Sequence, residues 1–302
     1  MPRRPDAPSV TWADVAGTCA PSAGASARAD GNLPTGDRPL TWCPQEGPLT
    51  YSRPMVGVPR YDRIGEGYAT TRRPDPRIAR QLDDALGDAR TVVNVGAGTG
   101  NYEPADRVVV AVEPSGAMVH QRAPGAAPVV RATAEHLPFP RGAFDGAMAL
   151  LTVHHWTDPA AGLAELRRLA VGPVVVLTFD HLVHSRQWLV TEYLPEMLEL
   201  DDDVPAPEEI ARALGGGSVA VVPVPADCLD GFCHAFWARP EAYLDPAVRA
   251  GISGIARLPS ETVTDAMVRL EHDLASGRWQ DRHGASVGAG VTDAGYRLVV
   301  ST

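Results

Sequence analysis

The chain has 302 residues, 44% of them hydrophobic, which suits one large α/β domain or one domain with additions. Its formal net charge of −10 comes without a Lys/Arg-rich stripe, and this argues against a duplex or tRNA partner, because phosphate contacts need concentrated positive charge. No apolar run of roughly 18 residues occurs and no basic-then-apolar leader opens the chain, so the expectation is a cytoplasmic protein acting on a small molecule, without membrane attachment and with its oligomeric state left open.

Residues 1–54 are rich in Pro, Gly, Ala, Ser and Asp and poor in large apolar side chains, a composition that cannot bury enough surface to order itself. They are expected to form a flexible extension. Because strongly patterned sequence begins only at Tyr61, Met55 is an alternative start, and the folded domain is placed at 55–302. Cys19, Cys43, Cys228 and Cys233 contain no C-x-x-C pair and no histidines at zinc-finger spacing, although His234 follows Cys233. Ordinary reduced thiols, with neither metal nor disulfide, are expected.

Pro74 and Pro76 introduce a helix whose Ile78, Leu82 and Leu86 form an apolar stripe. Then comes TVVNVGAGTG, Thr91 to Gly100. Val92, Val93 and Val95 suit a strand covered on both faces, and Gly96, Gly98 and Gly100 remove every second Cβ, so that a ligand can lie against bare main chain. NYEPADR leaves room for only a turn or two before a second strand, Val108 to Val112, which Glu113 ends. Further strands are expected at Pro128–Val130, from Phe144 and at Val174–Phe179, with helices over PSGAMVHQR and PAAGLAELRRLA. Strands alternating with helices imply a parallel sheet. In the second half, SRQWLVTEYLPEMLEL reads as helical up to or through Pro195, PEEIARALG as a helix, Val219–Val224 as a strand and residues 239–278 as two helices. GYRLVVST is expected as an antiparallel strand at the sheet edge.

A dinucleotide fingerprint would need a third glycine where Asn101 stands and an acid about twenty residues on, so the spacing disfavours NAD. VNVGAGTG instead resembles the first motif of the class I S-adenosylmethionine-dependent methyltransferases, and the likeness extends from about Tyr61 to Asp180. Glu113 matches that family's acid after the second strand. TAEHLPF, from Thr133, resembles its adenine-lining segment, FDGAMALLTVHHWTD its small-molecule (quinone-biosynthetic) variants, and YDRIGEGY with Arg73 its leading segment over the methionine.

The resemblance implies a Rossmann-like, doubly wound, seven-stranded and mostly parallel sheet with an antiparallel last strand. Residues 61–180 would form the cofactor-binding half, and helical lid elements would lie at about 184–200 and 236–280. S-adenosylmethionine would be the cofactor, bound by Tyr68, Arg73, Asn94, Gly96, Ala97, Gly98, Glu113, Pro114, Thr133, Ala134, Glu135 and Leu151. Asn94 stands where the family usually carries an acid, and Thr133 where an aspartate commonly receives the adenine amine. His154 and His155 are candidate general bases, one expected to face the cofactor and the other packing, although alignment of the nucleophile can supply most of the rate without a base. Trp156, Trp188, Tyr193, Phe232, Phe236, Trp237 and Tyr243 cluster where they could form an aromatic substrate lid, with Trp156, Trp188, Tyr193 and Trp237 as its named candidates; the competing reading makes them core of the added helices. Asp201, Asp202 and Asp203 read as a solvated turn, and the absence of an Asn/Asp-Pro-Pro-Tyr sequence argues against amide or nucleobase nitrogen as acceptor. The expected activity is methyl transfer to O, C or N of a small molecule; a nicotinamide-dependent oxidoreductase and a non-catalytic cofactor-binding protein are the alternatives.

Overall fold

A computed structural model describes Asp62 and residues 68–200 and 204–302. The expectations for residues 1–54, Met55, most of YDRIGEGY and Asp201–Asp203 fall outside the described residues. After a short helix α1 (Tyr68–Thr71), α2 spans Pro76–Leu86. The Asp75 carboxylate caps its first turn by accepting from the Arg77 amide, Pro76 presets the first φ, and Gly87 ends it at φ +53°. Ile78, Leu82 and Leu86 are buried together on one face, each adding about 1.5–3 kcal/mol of hydrophobic stabilisation.

The sheet is built from β1 (Thr91–Val95), β2 (Val108–Val112), β3 (Val129–Val130), β4 (Gly146–Leu150), β5 (Val174–Phe179), β6 (Ser218–Val221) and β9 (Tyr296–Ser301). Their spatial order is β3-β2-β1-β4-β5-β9-β6, with β9 antiparallel to both neighbours. The last strand therefore lies inside the sheet and not at its edge. The mostly exposed β6 forms the edge and satisfies the second hydrogen-bonding side of β9. Val222 and Pro223 interrupt the strand expected over 219–224, and β7 (Val224–Pro225) turns away to pair with β8 (Val291–Thr292).

Side chains alternate across the pleat, so β1 and β5 serve two cores. Val93, Val95, Val174 and Val176 meet α4 (Pro159–Leu169) and α6 (Pro207–Ala213), whereas Val92, Val175 and Leu177 meet α2, Phe232 and Trp237. A helix α3 (Gly116–His120) follows β2, while the segment between β1 and β2 makes only turns. No helix among the described residues is long and apolar enough to cross a membrane.

A third core forms in a helical cap. A short helix α5 (His181–His184) ends just before SRQWLVTEYLPEMLEL, and the helix expected there is replaced by a wide turn at Leu189–Tyr193 and a 3₁₀ stretch at Pro195–Leu200, since Pro195 cannot donate to a continuing helix. Residues 239–278 likewise form more than two helices: a 3₁₀ turn at Pro240–Leu244, α7 (Pro246–Ala250), α8 (Ser253–Ala256) and α9 (Ser260–Ala275), followed by α10 (Arg278–Val287). Pro246, Gly251, Gly254 and Pro259 punctuate that stretch.

Candidate active site

At the carboxyl end of β1 the chain turns sharply, and the Gly96 and Ala97 amides both donate to the Val112 carbonyl. Gly96 has φ +70°, and a Cβ there would sit 2.0 Å from Thr152 Oγ1, so the turn can press against the end of β4 only as glycine. Gly98 has φ +53°, and its amide donates to Glu113 Oε2 at 2.7 Å. The Ser115 amide donates to the other oxygen at 2.8 Å. Burial raises the Glu113 carboxyl above its ordinary value, and these two amides oppose the rise. The result is a buried acceptor held in one orientation, with a lone pair left on each oxygen. Pro114 continues the loop, and its carbonyl accepts from Arg131.

Asn94 is buried, and its side-chain amide donates to Glu103 Oε1 at 3.1 Å. Glu103 also binds Arg122 through both oxygens, and Arg122 donates to the Gly98 carbonyl. An acid thus stands beside the position where the first motif lacks one. Sequence spacing did not find it, because Glu103 comes from the turn after the glycines.

Other sequence-derived candidates separate. Ala134 is buried among the β4 and α4 residues, and Thr133 is half-buried beside it. Glu135 accepts from the Thr157 and Asp158 amides, which fixes the entry to α4. Arg73 is exposed. Its neighbour Arg72 is the arginine that turns inward, pairing with the fully buried Asp230 at 2.6 Å and donating to the Tyr68 hydroxyl. Tyr102 also donates to Asp230, and burial beside that carboxylate raises the Tyr102 phenol.

Leu151, at φ +51° just past β4, is a non-glycine residue in left-handed backbone, a conformation that costs about 1–2 kcal/mol. It lines a cavity of about 60 Å³ together with Arg72, His154, Phe179, His184 and Cys233. A single water needs only about 10–15 Å³ by the same measure, so a small ligand group has room. His155 packs on His154 with ring centroids 3.8 Å apart and does not line the cavity. The four proposed lid aromatics do not line it either. Trp188 and Tyr193 are buried in the cap core, Trp237 is buried between sheet and β7, and Trp156 packs on the α4 face of the sheet. The competing core reading describes Trp188 and Tyr193, which pack among the added helices, whereas Trp237 and Trp156 pack on opposite faces of the sheet.

The strand order, the single antiparallel strand and the glycine turn facing an acid after β2 define a Rossmann-like domain of the class I methyltransferase type. A family profile described as a methyltransferase domain matches residues 93–171. A presumed methyltransferase of an antibiotic biosynthesis pathway from Anabaena variabilis ATCC 29413 is similar at 31% identity, over 77% of this chain and 99% of that one, with a TM-score of 0.72. Two further solved structures lie farther away. A methyltransferase of Thermotoga maritima, named as a candidate histamine N-methyltransferase, shows 22% identity over 55% of this chain and 83% of that one, with a TM-score of 0.41. The geranyl diphosphate C-methyltransferase of Streptomyces coelicolor A3(2), solved with Mg2+, geranyl diphosphate and S-adenosyl-L-homocysteine, shows 14% over 74% and 77%, with a TM-score of 0.40. No curated protein matches the chain. The chain belongs to the S-adenosylmethionine-dependent methyltransferases, and S-adenosylmethionine is its cofactor. The oxidoreductase alternative is thereby set aside.

The residues present fit that cofactor. Asn94 Oδ1, Thr99 Oγ1 and Asn101 Nδ2 are buried around the glycine turn without a hydrogen-bond partner, next to the fixed Glu113 carboxylate. Buried polar atoms are costly when unpaired, and a ligand carrying amine, carboxylate and hydroxyl groups can satisfy them.

Proposed function

We propose that the protein methylates a small-molecule acceptor bound in the cavity between the carboxyl ends of β4 and β5 and the helical cap. The observation that carries this reading is Leu151. It follows the strand that neighbours β1, takes a strained backbone, and forms part of the cavity wall. Ligands of open α/β sheets sit beyond these strand ends, and strained residues gather at such sites.

In this reading Glu113 accepts hydrogen bonds from the two ribose hydroxyls, a charge-assisted pairing. Gly96, Ala97 and Gly98 let the methionine portion lie against the main chain, with Asn94 and Glu103 beside its amine. Thr133, Ala134 and Pro114 flank the adenine, and Glu135 holds that loop against α4. Tyr68 and Arg72 close the leading side, Arg72 taking the place expected of Arg73. Bound S-adenosylmethionine supplies an electrophilic methyl group on sulfur. His154 is the histidine placed to hold the acceptor's proton or to orient its nucleophile. Phe179, Phe232 and Tyr296 give the acceptor apolar walls.

Incubating a cell extract with methyl-labelled S-adenosylmethionine and the enzyme, then tracing label by mass spectrometry, should reveal one or a few labelled small molecules. Tight cofactor binding with no S-adenosylhomocysteine formed from extract or from a broad acceptor panel would favour a non-catalytic binding protein instead.

A further inference from the structure

Three potential metal ligands meet beside the cavity, His184 joining the adjacent pair Cys233 and His234 from far along the chain. His184 ends α5, while Cys233 and His234 lie in the loop between β7 and the 3₁₀ turn at Pro240. One ligand atom from each lies within 4.8 Å of the other two. The His184 and His234 rings are 4.1 Å apart. In a tetrahedral zinc site, with bonds of about 2.0–2.3 Å, neighbouring donors are about 3.3–3.6 Å apart, so binding an ion calls for a contraction of about an ångström.

His234 provides an independent sign of a ligand. Only 1% of it is exposed, and Nε2 is buried without a hydrogen-bond partner. The loop is braced on both sides: the Tyr243 hydroxyl donates to the Cys233 carbonyl at 2.7 Å, and the His234 amide donates to the Tyr296 hydroxyl at 3.3 Å.

We propose that His184, Cys233 and His234 form a site for one divalent transition-metal ion of the zinc class, with a fourth coordination position open to the acceptor cavity. Two imidazoles and one thiolate favour Zn2+ and its transition-metal neighbours over Mg2+ or Ca2+, which prefer oxygen. Three protein ligands with one exchangeable position is the pattern of zinc sites that meet small molecules. His184 and Cys233 both line the cavity, which is the side from which water or an acceptor donor atom reaches the ion. The linear sequence showed only the Cys233-His234 pair; the fold adds His184.

The test is titration of the metal-stripped full chain with cobalt(II) chloride, followed by displacement with zinc. The expected result is one Co2+ per chain, with an intense thiolate-to-cobalt absorption that zinc removes. Cys233→Ser should abolish that absorption, and His184→Gln or His234→Gln should weaken uptake at least tenfold. Cys228→Ser, which changes a buried thiol outside the trio, should leave both unchanged. No stoichiometric uptake, or thiolate absorption that survives Cys233→Ser, would overturn the site. S-adenosylhomocysteine affinity measured on the same variants verifies their fold. It also separates this proposal from the acceptor reading, since the metal can bind whether or not methyl transfer occurs.

Discussion

Glu113→Gln isolates the carboxylate assigned to the cofactor ribose while keeping its shape. In the wild type both oxygens accept a backbone amide, from Gly98 at 2.7 Å and Ser115 at 2.8 Å. Glutamine offers one carbonyl, so one of those amides would face an NH2 group, at about 1–3 kcal/mol for an unsatisfied buried donor. Against this, the variant no longer buries a charge; the raised pKa of Glu113 shows that burial opposes its ionisation. The two terms have opposite sign, so the melting temperature should move by only a few degrees. Cofactor binding has no such compensation. Losing charge-assisted bonds to two hydroxyls should cost about 1.5–3 kcal/mol, a roughly 10- to 150-fold weaker Kd for S-adenosylhomocysteine by calorimetry. The pH dependence has a definite sign. A carboxyl whose folded pKa is raised contributes stability below its unfolded value and loses that contribution as pH rises through the folded value. The ionised form that grips the hydroxyls is therefore lost on acidification earlier than for an ordinary glutamate. Wild-type affinity should fall as pH drops toward and below 4.5, and the glutamine variant should lack that component. Affinity unchanged within threefold, in a variant that melts like the wild type, would refute the ribose assignment.

Gly98→Arg should abolish S-adenosylhomocysteine binding, because φ is +53° there and even a Cβ would lie 3.3 Å from Met118 Cε; unchanged affinity in a chain folded by circular dichroism would contradict the site. Asp230→Ala removes the carboxylate partner of the buried Arg72 guanidinium and Tyr102 hydroxyl, so urea unfolding should show a loss of about 3–5 kcal/mol, and a loss under about 1 kcal/mol would mean that water replaces the carboxylate. Asp75 is held below the usual carboxylate range, first by the Arg77 guanidinium and further by the Arg77 and Leu229 amides. Its contribution is present above pH 3.8 and is lost as pH falls through and below that value, so Asp75→Ala should flatten the acid limb of a stability-pH curve and cost about 0.5–2 kcal/mol at neutral pH through the lost cap.

The cofactor half was legible in the sequence because its signals are local. Val174–Phe179 forms β5 over the residues read as a strand, and Ile78, Leu82 and Leu86 pack as their spacing requires. The glycine turn could be placed because Gly96 and Gly98 adopt a backbone that other residues enter only at a cost. Arg72 and Arg73 show where such reading ends. Adjacent arginines are chemically equal in a sequence, and only the approach of Asp230, far along the chain, decides which one turns inward. Glu103 was missed for a related reason: its pairing with Asn94 depends on how the short loop folds back.

The acceptor half depends almost wholly on such long-range contacts. Its aromatic residues carry no mark that separates a ring facing substrate from one filling a core, and Trp188 settles inside the cap, where its indole N–H donates to the Trp237 carbonyl at 3.0 Å. The cavity is instead walled by Phe179 at the end of β5, by His154 from the turn after β4, and by Cys233 from a loop held under Tyr243. In the proposed reading the sheet supplies the cofactor-side wall and the cap supplies the acceptor-side wall. Substitutions confined to the cap side of this cavity should change which acceptor is methylated, or how fast, while leaving S-adenosylhomocysteine affinity within about threefold, because the Glu113 carboxylate is held by the Gly98 and Ser115 amides and, among the described residues, by no hydrogen bond from the cap. Met197→Ala, which enlarges the cavity from the cap side, is the direct case. A cofactor affinity that falls with it would mean that the two walls are energetically one unit.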